Sequence, residues 1–390
     1  MQHPQTKAIH IQHPRTANRE HSVPMYLTSS FCYDDAEQMR AVFADEEEAF
    51  IYSRFSNPNV QEFVDKMAAL EEAEAGYATA SGMSAVFATI MGLLKSGDHI
   101  ISCASIFGST YSIFKKYLGN WGLQYSFADA ATPANWEAEI KPNTKMIFLE
   151  TPTNPGLDII DLEIVGALAK KHNLLLVVDN CFATPYGQLP IRYGADLVVH
   201  SATKWIDGQG RVLGGVIVGR KDLINDIYLY CRNTGPSLSP FNGWLLSKSL
   251  ETLDVRMERH VKNAALLAQK LEGHSAILQV RYPFLPSHPQ YEIAKKQMIN
   301  GGGIVCFELK DGLVAGRQFL NNLKMLSLTA NLGDTRSIAS HPASTTHAKL
   351  TEQERLGVGI TPGLIRISAG LEHIDDITED IMQALDALKK

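Results

Sequence analysis

Two short apolar runs between residues 174 and 219 constrain the fold of this chain most strongly. LLLVVD (174–179) ends at Asp179, and DLVVHS (196–201) is followed after two residues by Lys204. Runs this short and this continuously apolar are typical of strands buried on both faces of a parallel sheet. Because ligands bind beyond the carboxyl ends of such strands, the segment predicts a site that contains Asp179 and Lys204.

The residue types around Lys204 favour an aldehyde cofactor. Pyridoxal phosphate requires a lysine that forms a Schiff base and an acid that keeps its ring nitrogen protonated, and Lys204 and Asp179 supply these groups. The hydroxyls of Ser201 and Thr203, just before the lysine, can bind the cofactor phosphate. Taken singly, such a lysine is usually a solvated loop residue and such an aspartate a cap. Their combination in one segment predicts a pyridoxal-phosphate site.

Strand and helix patterns alternate between residues 56 and 245, which predicts an α/β domain with a mainly parallel sheet. Residues 1–55 show little sustained periodicity and are predicted to form an arm that docks on another surface. From 246 to 390, a long helix pattern that begins at Trp244 and ends near residue 273 precedes two strand patterns and a closing helix. This last part predicts a smaller α+β domain. Further predicted strands are GYATAS (76–81), HIISC (99–103), KMIFLE (145–150) and GGVIVG (214–219).

Composition argues against several classes of partner. The formal net charge is −6 without a long basic run, which argues against nucleic acid and anionic membranes. No stretch of about 18 apolar residues occurs and the first residues lack an apolar segment, so neither a transmembrane helix nor a secretory signal is expected. The five cysteines are scattered without metal-ligand spacing, which favours a reduced, cytoplasmic compartment and predicts no metal site.

Two other segments contain residue types that bind phosphate. Ser81-Gly82-Met83 opens a predicted helix, and a helix N-terminus offers unpaired N–H groups and a positive dipole end. Tyr52 and Arg54 would add a phenol and a guanidinium that forks onto phosphate. On spacing alone, an ordinary glycine turn is favoured for the first segment, and a surface loop fits the second equally well.

The segment around Lys204 also resembles, nearly residue for residue, the pyridoxal-phosphate signature of the Cys/Met-metabolism family. That family includes cystathionine synthases and lyases, methionine γ-lyase and the homoserine sulfhydrylases, and the resemblance extends from about residue 20 to residue 390. It implies a fold-type I pyridoxal-phosphate-dependent transferase, similar to aspartate aminotransferase. Such a molecule has a seven-stranded-type sheet, a smaller C-terminal domain and an N-terminal arm, and the resemblance implies a homotetramer of two catalytic dimers.

The resemblance implies roles for individual residues, with Lys204, Asp179 and Phe107 as the catalytic set. Phe107 would stack on the cofactor ring where most members have Tyr, so stacking is kept but a phenolic acid or base is absent. Tyr52 and Arg54 would bind the cofactor of the neighbouring subunit. The full cofactor-binding set comprises Tyr52, Arg54, Ser81, Gly82, Met83, Phe107, Asn154, Asp179, Ser201, Thr203 and Lys204.

Three residues have implied roles and open alternatives. Asn154, in TPTNP, would hydrogen-bond the phenolic oxygen of the cofactor, and a turn residue before Pro155 is its alternative. Arg366, in GLIRISAG, lies on a predicted strand where a charge is costly without a partner. By resemblance it grips the substrate α-carboxylate with support from Asn331, and a structural salt bridge is the alternative.

Within the family, local features favour the O-succinylhomoserine sulfhydrylase branch, which has Phe at the stacking position. Methionine γ-lyase has a Cys and a Lys-Asp pair where this chain has Ser109 and Cys231-Arg232. The expected reaction is replacement of the acyl group of an O-acylhomoserine, preferably the succinyl ester, by sulfide to give homocysteine, with Arg232 meeting the succinyl carboxylate. O-acetylhomoserine sulfhydrylase, cystathionine γ-synthase and methionine γ-lyase activities stay open, as does a catalytically silent binding protein.

Overall fold

The computed structural model describes residues 3–346, 348–349 and 351–389, and a seven-stranded sheet lies at its centre. The strands are β1 (Ala75–Thr79), β2 (His99–Cys103), β3 (Gln124–Ala128), β4 (Thr144–Glu150), β5 (Leu175–Asp179), β6 (Leu197–Ser201) and β7 (Gly215–Gly219). Their order is β1-β7-β6-β5-β4-β2-β3, and only β7 runs antiparallel to its neighbours. The predicted mainly parallel sheet is therefore confirmed.

Helices cover this sheet, and several begin where the sequence supplies a cap. Asn57 caps the helix that starts at Pro58, and Ser81 caps the helix that starts at Gly82, each by accepting an N–H of the first turn. The helices of this part are α1 (Pro4–His10), α2 (Ala36–Phe43), α3 (Pro58–Glu71), α4 (Gly82–Leu93), α5 (Gly108–Ser112), α6 (Leu162–His172), α7 (Lys221–Thr234) and α8 (Pro240–Leu250).

A second, five-stranded sheet with its own apolar core follows, in the order β10-β11-β12-β9-β8. Its strands are β8 (Ile277–Arg281), β9 (Ile304–Leu309), β10 (Ser327–Leu328), β11 (Ile338–Ser340) and β12 (Leu364–Ser368). The accompanying helices are α9 (Leu253–Leu271), α10 (Tyr291–Gln297), α11 (Gly312–Asn322), α12 (Glu352–Gly357) and α13 (Ile374–Asp386). We propose the division of the chain at residues 55 and 245; the second boundary falls inside α8.

The single long helix predicted from Trp244 to residue 273 is wrong, because the chain forms α8 and α9 with a break between them. Arg256 provides the physical reason. Its guanidinium is buried and donates to the carbonyl oxygens of Ser249 (2.9 Å) and Trp205 (2.6 Å). A buried guanidinium requires such acceptors, and the break frees the carbonyl of Ser249 to serve as one.

The N-terminal arm contains more structure than its weak periodicity predicts, since α1 and α2 both lie within it. The arm docks on the same chain: the Tyr26 N–H donates to the Asn59 side chain at 2.7 Å, and the Trp244 indole donates to the Val23 carbonyl at 3.0 Å. Short polar anchors of this kind leave little trace in hydrophobic periodicity. Across the described ranges, no helix is long and apolar enough to cross a membrane.

Candidate active site

The carboxyl ends of three adjacent parallel strands meet at one edge of the large sheet. In the strand register, Glu150 at the end of β4 lies beside Asp179 at the end of β5, and β6 ends next to them at Ser201. A cavity of about 280 Å³ opens there. Predicted site residues that line it are Ser81, Gly82, Met83, Phe107, Asn154, Asp179, Ser201, Thr203, Lys204 and Arg366.

Lys204 lies in the turn after β6, and its Nζ donates a 2.6 Å hydrogen bond to Oδ1 of Asn331. Burial lowers the pKa of the lysine, and the nearby Arg366 guanidinium lowers it further. The hydrogen bond to Asn331 adds no negative charge that would hold the proton on the amine. The side chain is therefore prepared to act as a neutral amine, the form that attacks an aldehyde carbon or accepts a proton.

Asp179 lies at the bottom of the cavity, where burial raises the pKa of its carboxyl to about 6. The N–H of Cys181 donates to Asp179 Oδ1 at 3.0 Å, and His200 acts in the same direction, so both favour the charged form against burial. A carboxyl with this balance can meet a protonated ring nitrogen as an anion at neutral pH.

The N-terminus of α4 faces the end of β6, where its N–H groups are suited to an anion. Ser81 Oγ accepts the N–H of Ser84 at 3.2 Å. The N–H groups before it, those of Gly82 and Met83, have no helical carbonyl one turn earlier and can face a ligand. A Cβ on Gly82 would lie 2.5 Å from the Ser201 Cβ, so only glycine permits this approach of helix and strand. Thr203 lies close by and accepts the N–H of Gly214 at 3.2 Å.

Arg366 reaches the cavity from β12 of the second sheet and is 6% exposed. Its Nη1 donates to Asn154 Oδ1 at 2.9 Å, and its Nη2 donates to the Asn331 carbonyl at 3.2 Å. Burial lowers its pKa. In the described ranges no carboxylate forms a salt bridge with this guanidinium, so the structural salt bridge considered as its alternative is not found.

Glu150 is a site residue that the sequence interpretation missed. It is buried, it lines the cavity, and its Oε2 accepts the backbone N–H of Phe107 at 2.7 Å. Burial, and after it the charge of Asp179, raise its pKa well above the usual range. The signal was present: KMIFLE ends in a carboxylate at the end of a buried strand, as LLLVVD does at Asp179.

Tyr52, Arg54 and Arg232 do not line the cavity of their own chain. The Arg54 guanidinium donates to the Arg232 carbonyl, and both guanidinium groups lie over the ring of Phe55, at 4.8 and 4.2 Å from its centre. We call Tyr52, Arg54, Phe55 and Arg232 the arginine cluster. Neither of its guanidinium groups forms an ion pair within the described part of the chain. Their predicted roles stay predictions.

The cavity residues fit pyridoxal phosphate in charge and in shape. They combine a lysine of lowered pKa, a carboxylate at the bottom, a helix N-terminus for the phosphate, and the ring of Phe107, which is 41% exposed. Within this chain, the predicted groups for the aldehyde, the ring nitrogen, the ring face and part of the phosphate site thus line one cavity, whereas Tyr52 and Arg54 lie outside it. No group of three His, Cys, Asp or Glu side chains that could hold a metal ion occurs among the residues described.

Comparisons with known proteins agree with this assignment. The O-succinylhomoserine sulfhydrylase of Pseudomonas aeruginosa is 45% identical over 98% of this chain and 95% of its own length. The L-methionine gamma-lyase of Porphyromonas gingivalis is 42% identical over 98% of this chain and 97% of its own length. These two relatives are named for different activities although their identity to this chain is similar.

Solved structures and a family model extend the match to the whole fold. The crystal structure of metB from Corynebacterium glutamicum superposes with a TM-score of 0.93 at 35% identity, covering 100% of this chain and 99% of that one. A putative O-acetylhomoserine (thiol)-lyase from Campylobacter jejuni, solved with a pyridoxyl-lysine monophosphate, gives 0.94 at 34% identity, covering 99% and 100%. The model described as Cys/Met metabolism PLP-dependent enzyme matches residues 5–386, and this chain belongs to that family of pyridoxal-phosphate-dependent enzymes.

Proposed function

We propose that this enzyme replaces the acyloxy group of an O-acylhomoserine, preferably O-succinyl-L-homoserine, by sulfide: the Cγ–O bond breaks, the acid leaves as its carboxylate, and the new Cγ–S bond gives L-homocysteine. The observation that supports this choice is local. Phe107 and Ser109, two of the residues that depart from the lyase pattern, both line the cavity that contains Lys204. The 45% identity to an O-succinylhomoserine sulfhydrylase favours the same reaction.

The chain's own residues have separable tasks in this reaction. When bound, pyridoxal phosphate supplies an electron sink for negative charge that develops on the substrate carbons. Lys204 Nζ removes the α-proton as a base, and its lowered pKa leaves more of the amine neutral near pH 7. Arg366 binds the α-carboxylate, for which it is suited because its present partners are uncharged oxygens of Asn154 and Asn331.

The sequence departures in the cavity bear on elimination versus replacement. Phe107 has no hydroxyl that could donate a proton to a leaving group, and Ser109 replaces a thiol by a much weaker acid. A carboxylate is a weaker base than a thiolate, so it departs more readily as a leaving group without assistance from an acid. The cavity therefore suits an acylated substrate better than a thioether such as methionine.

The test offers purified enzyme O-succinyl- or O-acetyl-homoserine with sulfide, with cysteine, or with neither, and also methionine alone. We expect homocysteine to form fastest from the succinyl ester and sulfide. Faster turnover of the acetyl ester would change the substrate, and cystathionine from cysteine would change the nucleophile. Release of 2-oxobutanoate regardless of nucleophile would move the enzyme to a lyase activity. Lys204→Ala protein provides the blank for each combination.

We infer further that the arginine cluster completes the site of a neighbouring subunit in a homotetramer of two catalytic dimers. Two half-buried guanidinium groups that lie side by side, with no ion pair to a carboxylate in the described ranges, are suited to bind anions from outside the chain. Arg54 would bind the cofactor phosphate there. Arg232 would meet the distal carboxylate of the succinyl group, which an acetyl ester lacks.

Mixed oligomers test this arrangement. Lys204→Ala and Arg232→Ala subunits are unfolded together, refolded, and assayed with the succinyl ester and sulfide. If Arg232 acts across the interface, each mixed dimer regains one site with both residues intact, so activity rises well above that of either variant. If Arg232 acts within its own chain, or has no role, mixing restores nothing beyond the Arg232→Ala rate. Arg259→Ala, an exposed change on α9, is the control.

A further inference from the structure

Glu150 makes one contact that the proposed function does not use. Its Oε2 lies 2.7 Å from the backbone nitrogen of Phe107, 43 residues away in the chain. Phe107 immediately precedes α5, and its side chain makes no cap hydrogen bond. The N–H at the start of this helix is thus satisfied by a carboxyl from β4, a rigid strand inside the sheet.

The surroundings of Glu150 argue against a purely structural ion pair. Asp179, beside it in the strand register, repels its charge, whereas the Arg366 guanidinium attracts it from a distance. No cation forms a salt bridge with Glu150 in the ranges that the structure describes. A buried carboxyl without a counter-ion is costly, and a neutral residue in its place would relieve that cost. The Phe107 N–H is the stronger hydrogen-bond donor to this carboxyl, at 2.7 Å, and the backbone of Asn154, another cavity residue, is a second and weaker partner.

We propose that Glu150 is a positioning residue, whose carboxyl oxygen holds the main-chain N–H of Phe107 and so places the Phe107 ring and the adjoining Ser109 against the cofactor. This inference rests on the proposed function, in which Phe107 faces the cofactor ring. The oxygen accepts this hydrogen bond whether or not the carboxyl is ionised. The anchor therefore works across the pH range of the enzyme.

The geometry explains why an anchor is required at this place. Phe107 is 41% exposed, so packing alone restrains its ring weakly. It also lies before the first residue of the helical segment that starts at Gly108, where the helix itself does not fix the backbone. A hydrogen bond from a strand of the central sheet supplies the missing restraint, because β4 is paired on both sides by β2 and β5.

Two matched substitutions separate the effect of side-chain length from that of the ionisable carboxyl. Glu150→Gln keeps an oxygen at the same distance but cannot ionise. Glu150→Asp can ionise but is shorter by one methylene. We expect Glu150→Asp to weaken cofactor binding by about tenfold, the effect of losing one hydrogen bond, and to reduce the visible circular dichroism of the bound cofactor. Glu150→Gln should restore both readouts toward wild type. Glu292→Asp, at an exposed position on α10, is the control.

A double-mutant cycle with Phe107→Ala tests whether Glu150 acts through Phe107. In the Phe107→Ala background, Glu150→Asp should have little further effect on either readout. Additive effects would show that Glu150 does not act through Phe107. A Gln variant as impaired as the Asp variant would show that an oxygen at the same distance is not sufficient. Either result would overturn the proposal. Melting of each apoprotein identifies any variant that fails to fold. If Phe107→Ala alone leaves the dichroism unchanged, the proposed role of Phe107 fails, independently of Glu150.

Discussion

Two lysines whose amines lie inside this molecule have opposite kinds of hydrogen-bond partner. Lys66 on α3 is fully buried, and its Nζ lies 3.2 Å from Glu62 and 3.1 Å from Glu251. Lys204 is half-buried, and its Nζ donates to the amide oxygen of Asn331 at 2.6 Å. A lysine between two carboxylates forms ion pairs that join elements, here α3 and the end of α8. A lysine beside an uncharged oxygen gives up its proton more easily and is free to react.

The same contrast separates the two buried arginines. Arg256 satisfies three backbone carbonyls at the break between α8 and α9, and it has no exposed donor to offer a ligand. Arg366 donates to Asn154 and Asn331 and lines the cavity. The structural cations Lys66 and Arg256 thus interact with carboxylates or with several carbonyls. Lys204 and Arg366, the cations of the candidate site, interact with uncharged amide oxygens that a ligand can replace. The following variants exchange or remove these partners.

The largest effect on catalysis is expected from Lys204→Ala, because it removes both the amine that binds the aldehyde and the base. We expect turnover to fall by about 100- to 10,000-fold, the usual contribution of a general base, while the apoprotein stays folded. The assay is homocysteine formation, together with the absorbance of the bound cofactor. Partial recovery by a small added amine would support the role as a base, and unchanged turnover would contradict it.

Lys66→Met should show the opposite profile. It leaves Glu62 buried without its cation, whereas Glu251 keeps Lys248, and breaking a buried pair destabilises a protein by about 3–5 kcal/mol. The measurement is urea unfolding of the apoprotein, with Lys248→Met, whose partner Glu251 is the same, as a control of lower burial. Cofactor absorbance in the protein that remains folded should be normal. A stability like that of wild type would show that Lys66 is not a structural cation.

Arg366→Gln tests the site arginine. The amide can still accept and donate hydrogen bonds near Asn154, but it cannot form a charged fork with a carboxylate. We expect kcat/KM for the amino-acid substrate to fall by roughly 10- to 100-fold, mainly through KM, the range for losing hydrogen bonds to a charged group. Cofactor affinity should change little. A fall of cofactor affinity with unchanged KM would place Arg366 on the cofactor and not on the substrate.

Sequence pattern predicted the elements of the large sheet well, because each buried strand is a short, continuous apolar run bounded by polar residues. It predicted Lys204, Asp179 and Arg366 because a charge at the end or middle of such a run is conspicuous. It missed β3, whose alternation of aromatic and polar residues departs from a continuous run, and the break before α9, which depends on a contact between Arg256 and distant carbonyls. It did not predict the hydrogen bond from the Phe107 N–H to Glu150, since a contact across 43 residues has no local signature, although the carboxylate at the end of KMIFLE was visible.

The smallest effect is expected for the stability of Asp179→Asn apoprotein, and its sign is informative. The pKa of Asp179 is raised from 3.8 to about 6, so the folded protein holds this proton more tightly than the unfolded chain does. Asp179 therefore lowers stability as the pH rises from about 4 to about 6, and the loss persists above that range.

Asparagine removes this titration, so the variant should be more stable than wild type at pH 7.5 by about 1 kcal/mol, a value reduced from the full shift because the side chain faces an open cavity. At pH 5 the advantage should shrink, since wild-type Asp179 is then largely protonated. Urea unfolding of both apoproteins at the two pH values measures the difference. Turnover should nevertheless fall, because the ring nitrogen loses its anionic partner. An equal difference at both pH values would mean that Asp179 does not titrate in this range, and that its carboxylate is stabilised in the apoprotein by more than Cys181 and His200.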